Sequence, residues 1–574
     1  MRKILMNIAA AGFAAVIAAG TAPINMAYAG GASSQARAPA RPAFSDVPAD
    51  SWAAASIRSA AESGLMNGVG GGLFGYGRTI TRAEFVTVLC NMFGWEAAAP
   101  EKPTFSDVSP GEWFYGYVEA AAAHGAAAAP KGNGGNGAFS PNTAILRKDM
   151  AVMLVKALGY DALAGQVTKT EATPFDDVDS DQGYIIIAGD IGMIGGVGGG
   201  KFAPDNTAKR EEAAAMLTRV YARLSAPLTW LHGFYAFSSY GQRELIKDAD
   251  AVTFGWSALK WSAATGTSLE TSGGGGAQWR IPDSYELIAD YPRENGVKAN
   301  LGVYMDAAAG LYGMLADEKA ASAAADAIIA EATRVYEAVG RSPYDGVTID
   351  FEGLAGPDAK SEFTAFLSKL AEGLKARGLA LYVAVQPMAA DRQSFDGYDY
   401  RKIGQIADKV ILMAHDYEPV SMDGFVGTDW QKNAALTPIS EVYQALKAIT
   451  DAGVGVEDKG KIALAFSFSC VGWMIGDDGK LTSPAPVTPT PDTVYTRMTQ
   501  PDTVPGWSDA YRNPYMIYAT EDGQKIYMWY EDGRSVAEKL KLARLFGVTG
   551  ASVWRLGIVP VYGDWNVWAN FAKY

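Results

Sequence analysis

The sequence has few of the residues that staple or metallate an exported protein. It holds two cysteines, Cys90 and Cys470, far apart in the chain. A disulfide framework is therefore not expected. Its three histidines, His124, His232 and His415, are each isolated, so no zinc-type ligand spacing appears. There is no basic run, and the formal net charge is −14. That balance argues against nucleic acid and against an anionic membrane surface as partners. Beyond the N-terminal segment, no stretch of 18 apolar residues is uninterrupted, so no membrane span is predicted. Charged residues make up 20% and hydrophobic residues 49%, which argues against wholesale disorder.

What is present begins with an export signal. Arg2 and Lys3 precede an apolar run from Ile4 to about Ala19, and Ala27-Tyr28-Ala29 supplies small residues for cleavage. Residues 1–29 read as a signal peptide, and the Gly, Ala, Ser and Pro-rich residues 30–42 as a linker. A chain of 574 residues then predicts two or more domains.

The next part repeats itself. Phe44-Ser-Asp-Val47 recurs as Phe105-Ser-Asp-Val108 and as Phe175-Asp-Asp-Val178. Each copy continues into an amphipathic stretch and a glycine-rich loop ending in Phe74, Phe139 or Phe202. Eight residues after each Phe stands an arginine: Arg82, Arg147 or Arg210. Fixed spacing in three copies implies units that bury their apolar faces on one another. Gly196-Val-Gly-Gly-Gly-Lys201 imitates a phosphate loop. It lacks the Gly-Lys-Ser/Thr ending, and Gly68-Val-Gly-Gly-Gly72 repeats it in copy one, so it reads as a module turn.

Phe-Ser-Asp-Val with Trp52, Gly64-Leu-Met-Asn-Gly68 and Ile80-Thr-Arg-Ala-Glu84 resembles the S-layer homology module. The modules are expected at 43–100, 101–162 and 172–225. The resemblance implies an all-α pseudo-threefold bundle that binds a pyruvylated secondary polysaccharide of a Gram-positive wall. It also implies that Arg82, Arg147 and Arg210 bind the wall polymer, a guanidinium fork being suited to a ketal carboxylate. Copy two departs with Leu146-Arg-Lys-Asp149. Copy three departs with Lys209-Arg-Glu-Glu212, and has Tyr184 near where Trp52 and Trp113 stand.

From about residue 229 short β-rich runs alternate with helical ones. Candidate strands are Gly233–Phe237, Ala251–Trp256, Asn300–Tyr304, Gly346–Phe351, Leu381–Val385, Lys409–Met413, Lys461–Phe466 and Gly550–Trp554. Helices are plainest over Glu318–Val339 and Ala359–Ala376. This pattern predicts an α/β (β/α)8 barrel over 229–574 with a small α+β insertion at about 474–534, which includes a strand-like Lys525–Tyr530. Barrel chemistry sits at the C-terminal strand ends. On strand four, alternation puts Thr348, Asp350 and Glu352 on one face. Two carboxylates side by side there raise a pKa and keep one acid protonated. Asp345 has the opposite parity and begins the strand, which suits an orienting role. Acidic residues at strand ends are common, and read from the residues alone the pair fits an acidic strand end that merely caps or binds water better than a catalytic one.

Tyr344-Asp-Gly-Val-Thr-Ile-Asp-Phe-Glu352 is similar to the signature of glycoside hydrolase family 18, Asp-Gly-x-Asp-x-Asp-x-Glu. Ile411-Leu-Met-Ala-His-Asp-Tyr417 resembles its strand-six segment. Trp529-Tyr-Glu-Asp-Gly-Arg-Ser535 with Gly550-Ala-Ser-Val-Trp-Arg-Leu-Gly557 resembles its closing stretch, and Asp399-Tyr-Arg-Lys-Ile-Gly404 the branch of spore-cortex peptidoglycan hydrolases. The resemblance implies a retaining glycosidase acting on an N-acetylated glycan, peptidoglycan or chitin, with the substrate's acetamido oxygen as nucleophile and no cofactor. It implies catalytic roles for Glu352, Asp350, Asp345 and His415, and substrate contacts for Met413, Asp416 and Trp554. Thr348 stands where the family has its middle Asp; it is expected to hydrogen-bond Asp350. His415 stands where the family has Tyr. These departures keep two other readings open, a barrel that grips amino sugars without cleaving them and a structural surface-layer subunit. All three place the protein outside the cell, on the wall.

Overall fold

The computed structural model describes residues 44–129, 137–272, 279–388 and 395–572. The expected signal peptide and linker lie outside the described residues. The chain forms two compact units, Met1–Ala222 and Arg223–Tyr574. Among the described residues no single helix is long and apolar enough to cross a membrane.

The N-terminal unit is helical, and its threefold character is written in hydrogen bonds. The aspartate of each Phe-x-Asp-Val motif closes its module's loop. Asp46 accepts from the amide of Phe74 at 2.7 Å, Asp107 from Phe139 at 2.6 Å and Asp177 from Phe202 at 2.8 Å. The motif's phenylalanine packs on the same loop residue, with ring centroids 5.5, 5.2 and 5.4 Å apart. Both repeated glycine turns close alike: Val69 donates to Leu73 and Val197 to Lys201, each at 2.8 Å, so the apparent phosphate loop is a module turn. Thr81 caps helix Arg82–Phe93 in a capping box with Glu84. Leu146, in the same place in copy two, offers no side-chain cap.

Three backbone bonds join the copies in a ring. Ile80 donates to Ala208 (3.1 Å), Ala208 to Ile145 (3.2 Å) and Ile145 back to Ile80 (3.0 Å). All three residues are buried. A segment this deep must pair its peptides inside the protein, and cyclic pairing lets three equivalent segments do so at once.

The C-terminal unit is a closed parallel barrel. Its strands are Trp230–Tyr235, Ala251–Ser262, Lys298–Met305, Gly346–Phe351, Ala380–Val385, Lys409–Leu412, Ile462–Ser467 and Gly550–Leu556. Each pairs with its neighbours, and the first pairs with both the second and the last. The eight expected strands are these eight. The first begins three residues earlier than expected, because Trp230 to Tyr235 are all buried whereas Phe237 is exposed. The second runs on past the barrel and pairs antiparallel with Gly266–Glu270. The expected helix Glu318–Val339 stops at Ala332. Beyond it, Tyr336 turns inward and its hydroxyl lies 2.7 Å from that of Tyr344.

Between strands seven and eight lies an antiparallel sheet of Val471–Ile475, Leu481–Val487, Val504–Ser508, Asn513–Ala519 and Lys525–Trp529, with one helix, Pro491–Met498. Trp473 and Trp529 fill its core. An ion pair between Lys539 and Glu531 (2.8 Å), with both side chains buried, ties it to helix Gly533–Leu545. Asn513 donates to the same carboxylate. That helix delivers strand eight to the barrel.

Candidate active site

Strand four sets the site by its parity. Phe351 packs against Phe363 and Phe366 of the outer helix Pro357–Lys375, with centroids 5.7 and 5.4 Å away. Its neighbours Asp350 and Glu352 therefore turn the other way, into the barrel mouth. Asp350 is 2% exposed and Glu352 is partly open. Burial, together with Glu352, pushes the Asp350 carboxyl well above the usual aspartate range. Burial also raises Glu352; His415 opposes that rise, and Asp306 and Asp416 add to it. Both carboxyls are thus held above their ordinary range, first of all by burial.

Strand six brings the partners. Met413 is buried in the lumen cluster that Trp554 packs against. His415 Nδ1 lies 2.9 Å from Asp416 Oδ2. The carboxylate can only accept there, so the ring proton sits on Nδ1 and a neutral ring leaves Nε2 without one. Asp416 adopts the left-handed backbone conformation, φ 57°. Burial pushes its carboxyl up, but His415 and a hydrogen bond with Ser467 outweigh this and hold it below the usual range.

Trp554, near the end of strand eight, lies beside Phe234, at 5.1 Å edge to face, and Trp279, at 5.8 Å. Trp279 stacks flat on Tyr304, with centroids 4.6 Å apart and planes 5° apart. Gly255 permits this approach, since a Cβ there would lie 3.1 Å from the Trp279 ring. Phe234, Gly255, Trp279, Trp554 and Arg555 line an open cleft of about 300 Å³.

Below the acids the lumen is polar and uncharged. Ser552, His232, Thr253 and Thr348 form a chain at 2.8, 2.7 and 2.6 Å, and Asn300 donates to Thr348 at 3.2 Å. Burial drives the pKa of His232 down to about 3, so it is neutral. The expected bond from Thr348 to Asp350 is not among these contacts. The Thr348 hydroxyl is committed to Thr253 and Asn300, and Asp350 Oδ1 is buried with no hydrogen-bond partner.

Asp345 needs a larger correction. It stands at the N-terminal rim, the far end of strand four from Glu352. Its Oδ2 accepts from the Ala299 amide at 3.1 Å, and Arg293 and Lys298 lie 3.6 and 3.5 Å from Oδ1. Asp250 and Asp408 do the same for Leu231 and Leu381. Each aspartate precedes a strand and satisfies an amide of its neighbour. Asp345 is thus a rim cap and takes no part in the site.

The three arginines lie at the seams between modules. Arg82 stacks on Phe139 (4.9 Å), Arg147 on Phe202 (5.0 Å) and Arg210 on Phe74 (5.1 Å), so each reaches the next copy and the third returns to the first. Each Nε donates to the carbonyl of that same phenylalanine. Arg82 is 3% exposed; its Nη1 pairs with Asp149 at 2.6 Å and its Nη2 donates to Ala128 O. Arg210 pairs with Glu84 at 3.3 Å. None of these is the open surface fork the resemblance suggests, although Arg147 is less deeply buried than the others.

Several neighbours of the acids carry no motif. Gln386, at the end of strand five, accepts from the Gly353 amide at 2.6 Å. The Tyr398 hydroxyl donates to Phe351 O at 2.7 Å. Tyr304 donates to Asp306 at 3.2 Å. Glu418 is pushed up to about 7 by burial and Asp416. Only the polar tip after strand six could have flagged one of them, Glu418, from sequence.

Fold and site define a barrel with a buried acid pair at its mouth, joined to a triple-module helical unit. Comparison with known proteins agrees. Residues 299–558 match the Glycosyl hydrolases family 18, and residues 43–86, 104–151 and 174–214 match the S-layer homology domain. The chain thus carries three S-layer homology domains followed by a glycosyl hydrolase family 18 domain. A Bacillus subtilis (strain 168) protein provisionally named sporulation-specific glycosylase YdhD is 26% identical over 241 residues, 40% of this chain and 51% of that one. The S-layer protein of Bacillus thuringiensis subsp. finitimus is 33% identical over 181 residues, 31% of this chain and 21% of that one. The chain therefore spans about half of the first relative's length and a fifth of the second's. Among solved structures, a chitinase from Chromobacterium violaceum ATCC 12472 is similar with a TM-score of 0.46 and 19% identity, covering 60% of this chain and 98% of that one.

Proposed function

We propose that this protein is a wall-tethered glycosidase that cleaves a β-linked, N-acetylglucosamine-containing glycan with retention of configuration. The observation that carries this is the acid pair on one face of strand four at the barrel mouth, Asp350 buried and Glu352 partly open, with both carboxyls raised. A raised glutamic acid is what leaving-group protonation needs. In this reading Glu352 protonates the glycosidic oxygen as the substrate's acetamido oxygen attacks the anomeric carbon. No side chain becomes bonded to the sugar. Asp350 faces the acetamido N–H and stabilises the positive charge that grows there. Water then attacks the same carbon, and Glu352, now a carboxylate, takes its proton. Trp554, backed by Phe234 and Trp279, gives the sugar's C–H face an apolar floor. His415 and Asp416 flank the acetamido group.

Peptidoglycan is the favoured substrate, because the modules of residues 43–225 hold the barrel at the wall. Their partner is the secondary wall polysaccharide. Arg147, the most open of the three seam arginines, is the first candidate for its acidic group; Arg82 and Arg210 would have to exchange existing pairs.

Mass spectrometry of products from peptidoglycan and chitin oligomers, for wild type and Glu352→Gln, tests the reading. Sugar release by wild type alone is expected. Equal release by both would leave a binding barrel. For tethering, full-length Glu352→Gln should sediment with purified walls and stay in solution once the secondary polymer is extracted.

A further inference from the structure

Glu352 is followed by a turn, residues 353–356, before helix Pro357–Lys375 begins. A rim turn has no ladder to hold it, and rim loops are usually the mobile part of a barrel. Here its peptides are claimed one by one from several elements. Glu352 N donates to Met305 O at 2.9 Å. Gly353 N donates to Gln386 Oε1 at 2.6 Å. Gly397 N donates to Leu354 O at 3.2 Å. Gly356 N donates to Asp396 Oδ1 at 2.6 Å.

Two more of its groups are served by a single hydroxyl. Tyr312 Oη donates to Gly353 O at 2.6 Å and accepts from Ala355 N at 3.0 Å. A phenol has one proton and free lone pairs, so both bonds form together. The tyrosine is aimed from behind. It lies on the short helix Leu311–Ala316, which sits flush on Trp261. A Cβ on Gly313 would lie 2.1 Å from the Trp261 ring, and one on Gly310 2.3 Å from its carbonyl oxygen. Only glycine permits that seating. Tyr312 is 39% exposed, so core packing does not account for its place. Its hydroxyl contacts do.

We propose that Tyr312 is the positioning residue of the general acid: through Gly353 and Ala355 it fixes the turn that fixes the Glu352 carboxyl. This rests on the glycosidase reading of Glu352. The acid must meet the leaving oxygen within hydrogen-bond reach, and about 1 Å of misplacement costs on the order of 100-fold in rate. Gln386 and Tyr398 hold the strand side of the turn, so loss of the Tyr312 hydroxyl loosens it without unfolding the barrel.

The test uses the full chain as wild type, Tyr312→Phe, Tyr312→Leu and Glu352→Gln. Tyr312→Phe should lower kcat about tenfold, with KM within about twofold. Its alkaline pH limb should move to lower pH, because a loosened Glu352 meets more water and burial is what raises it. Amide hydrogen exchange at residues 353–355 should speed up about tenfold, while the barrel strands stay protected. Tyr312→Leu should match Tyr312→Phe in kcat. Unchanged exchange in Tyr312→Phe overturns the proposal. So does a loss confined to KM, which would make the ring a substrate platform instead. If wild type releases no more sugar than Glu352→Gln, the glycosidase reading fails, and the exchange measurement still decides whether Tyr312 holds the turn.

Discussion

The seams of the N-terminal unit and the mouth of the barrel both bury charge, and they treat it in opposite ways. At the seams every nitrogen of Arg82 has a partner: Phe139 O, Asp149 and Ala128 O. At the mouth, pairing is left incomplete. Asp350 Oδ1, His415 Nε2 and Glu418 Oε2 are buried without hydrogen-bond partners. A buried polar atom without a partner costs stability, so proteins keep few of them without a reason. Full pairing marks a charge whose work is holding modules together. Incomplete pairing, with carboxyls that shift upward, marks groups arranged for a partner that arrives later.

That contrast can be tested by removing charge from each side. The largest effect belongs to the mouth. Glu352→Gln should lower glycan cleavage about 10³-fold, as loss of a general acid does, with an unchanged melting curve; reducing-end assay and calorimetry check this. Next comes the seam. Arg82→Met leaves Asp149 and two carbonyls unpaired, and should cost about 3 kcal/mol in the N-terminal unit. Asp350→Asn, which replaces a buried carboxyl one of whose oxygens has no partner, should cost the barrel nothing. If Arg82→Met melted like wild type while Asp350→Asn collapsed, the contrast would be reversed.

A smaller effect concerns Glu418. Its folded pKa is about 7, against an ordinary 4.5. The folded state therefore binds its proton more tightly than the unfolded chain does. This stabilisation is complete below about 4.5 and is lost as pH rises through about 7. At about 1.4 kcal/mol per pKa unit, and discounting for partial exposure, barrel stability should fall by about 2 kcal/mol over that window. Glu418→Gln should flatten the decline in urea titrations at pH 4.5 and 7.5. An equally steep fall in the variant would assign it to other groups. Thr348→Val should act least, removing one link of the lumen chain and costing about 1 kcal/mol by chemical denaturation.

The barrel was legible because its strands are buried on both faces. Runs such as Gly346–Phe351 and Ala380–Val385 are apolar throughout except where a lumen position carries Thr348 or Asp350. Glu352 and Asp350 were legible because strand parity is a local property. Asp345 was placed correctly, at the start of its strand, but its role was not legible, because the Ala299 amide, Arg293 and Lys298 that claim its carboxylate come from elsewhere in the chain. The clamp of Tyr312, Gln386 and Tyr398 was invisible. Its bonds join residues separated by 12 to 47 positions, and none of these types is unusual where it stands. The seam arginines were located by spacing, but their stacking and pairing across the seams were not legible. Sequence records their charge, whereas their partners come from another copy of the repeat.

The ring of Ile80, Ala208 and Ile145 has a consequence for how many modules such a unit can contain. Each of these residues gives its amide to one copy and its carbonyl to the other. Deleting any one copy would break two of the three links and expose a buried amide and carbonyl that have no alternative partner. Three is then the smallest number that closes. A shortened variant would be not a weaker tether but an unfinished fold, so its loss of wall binding would say nothing about how many binding sites the intact unit has.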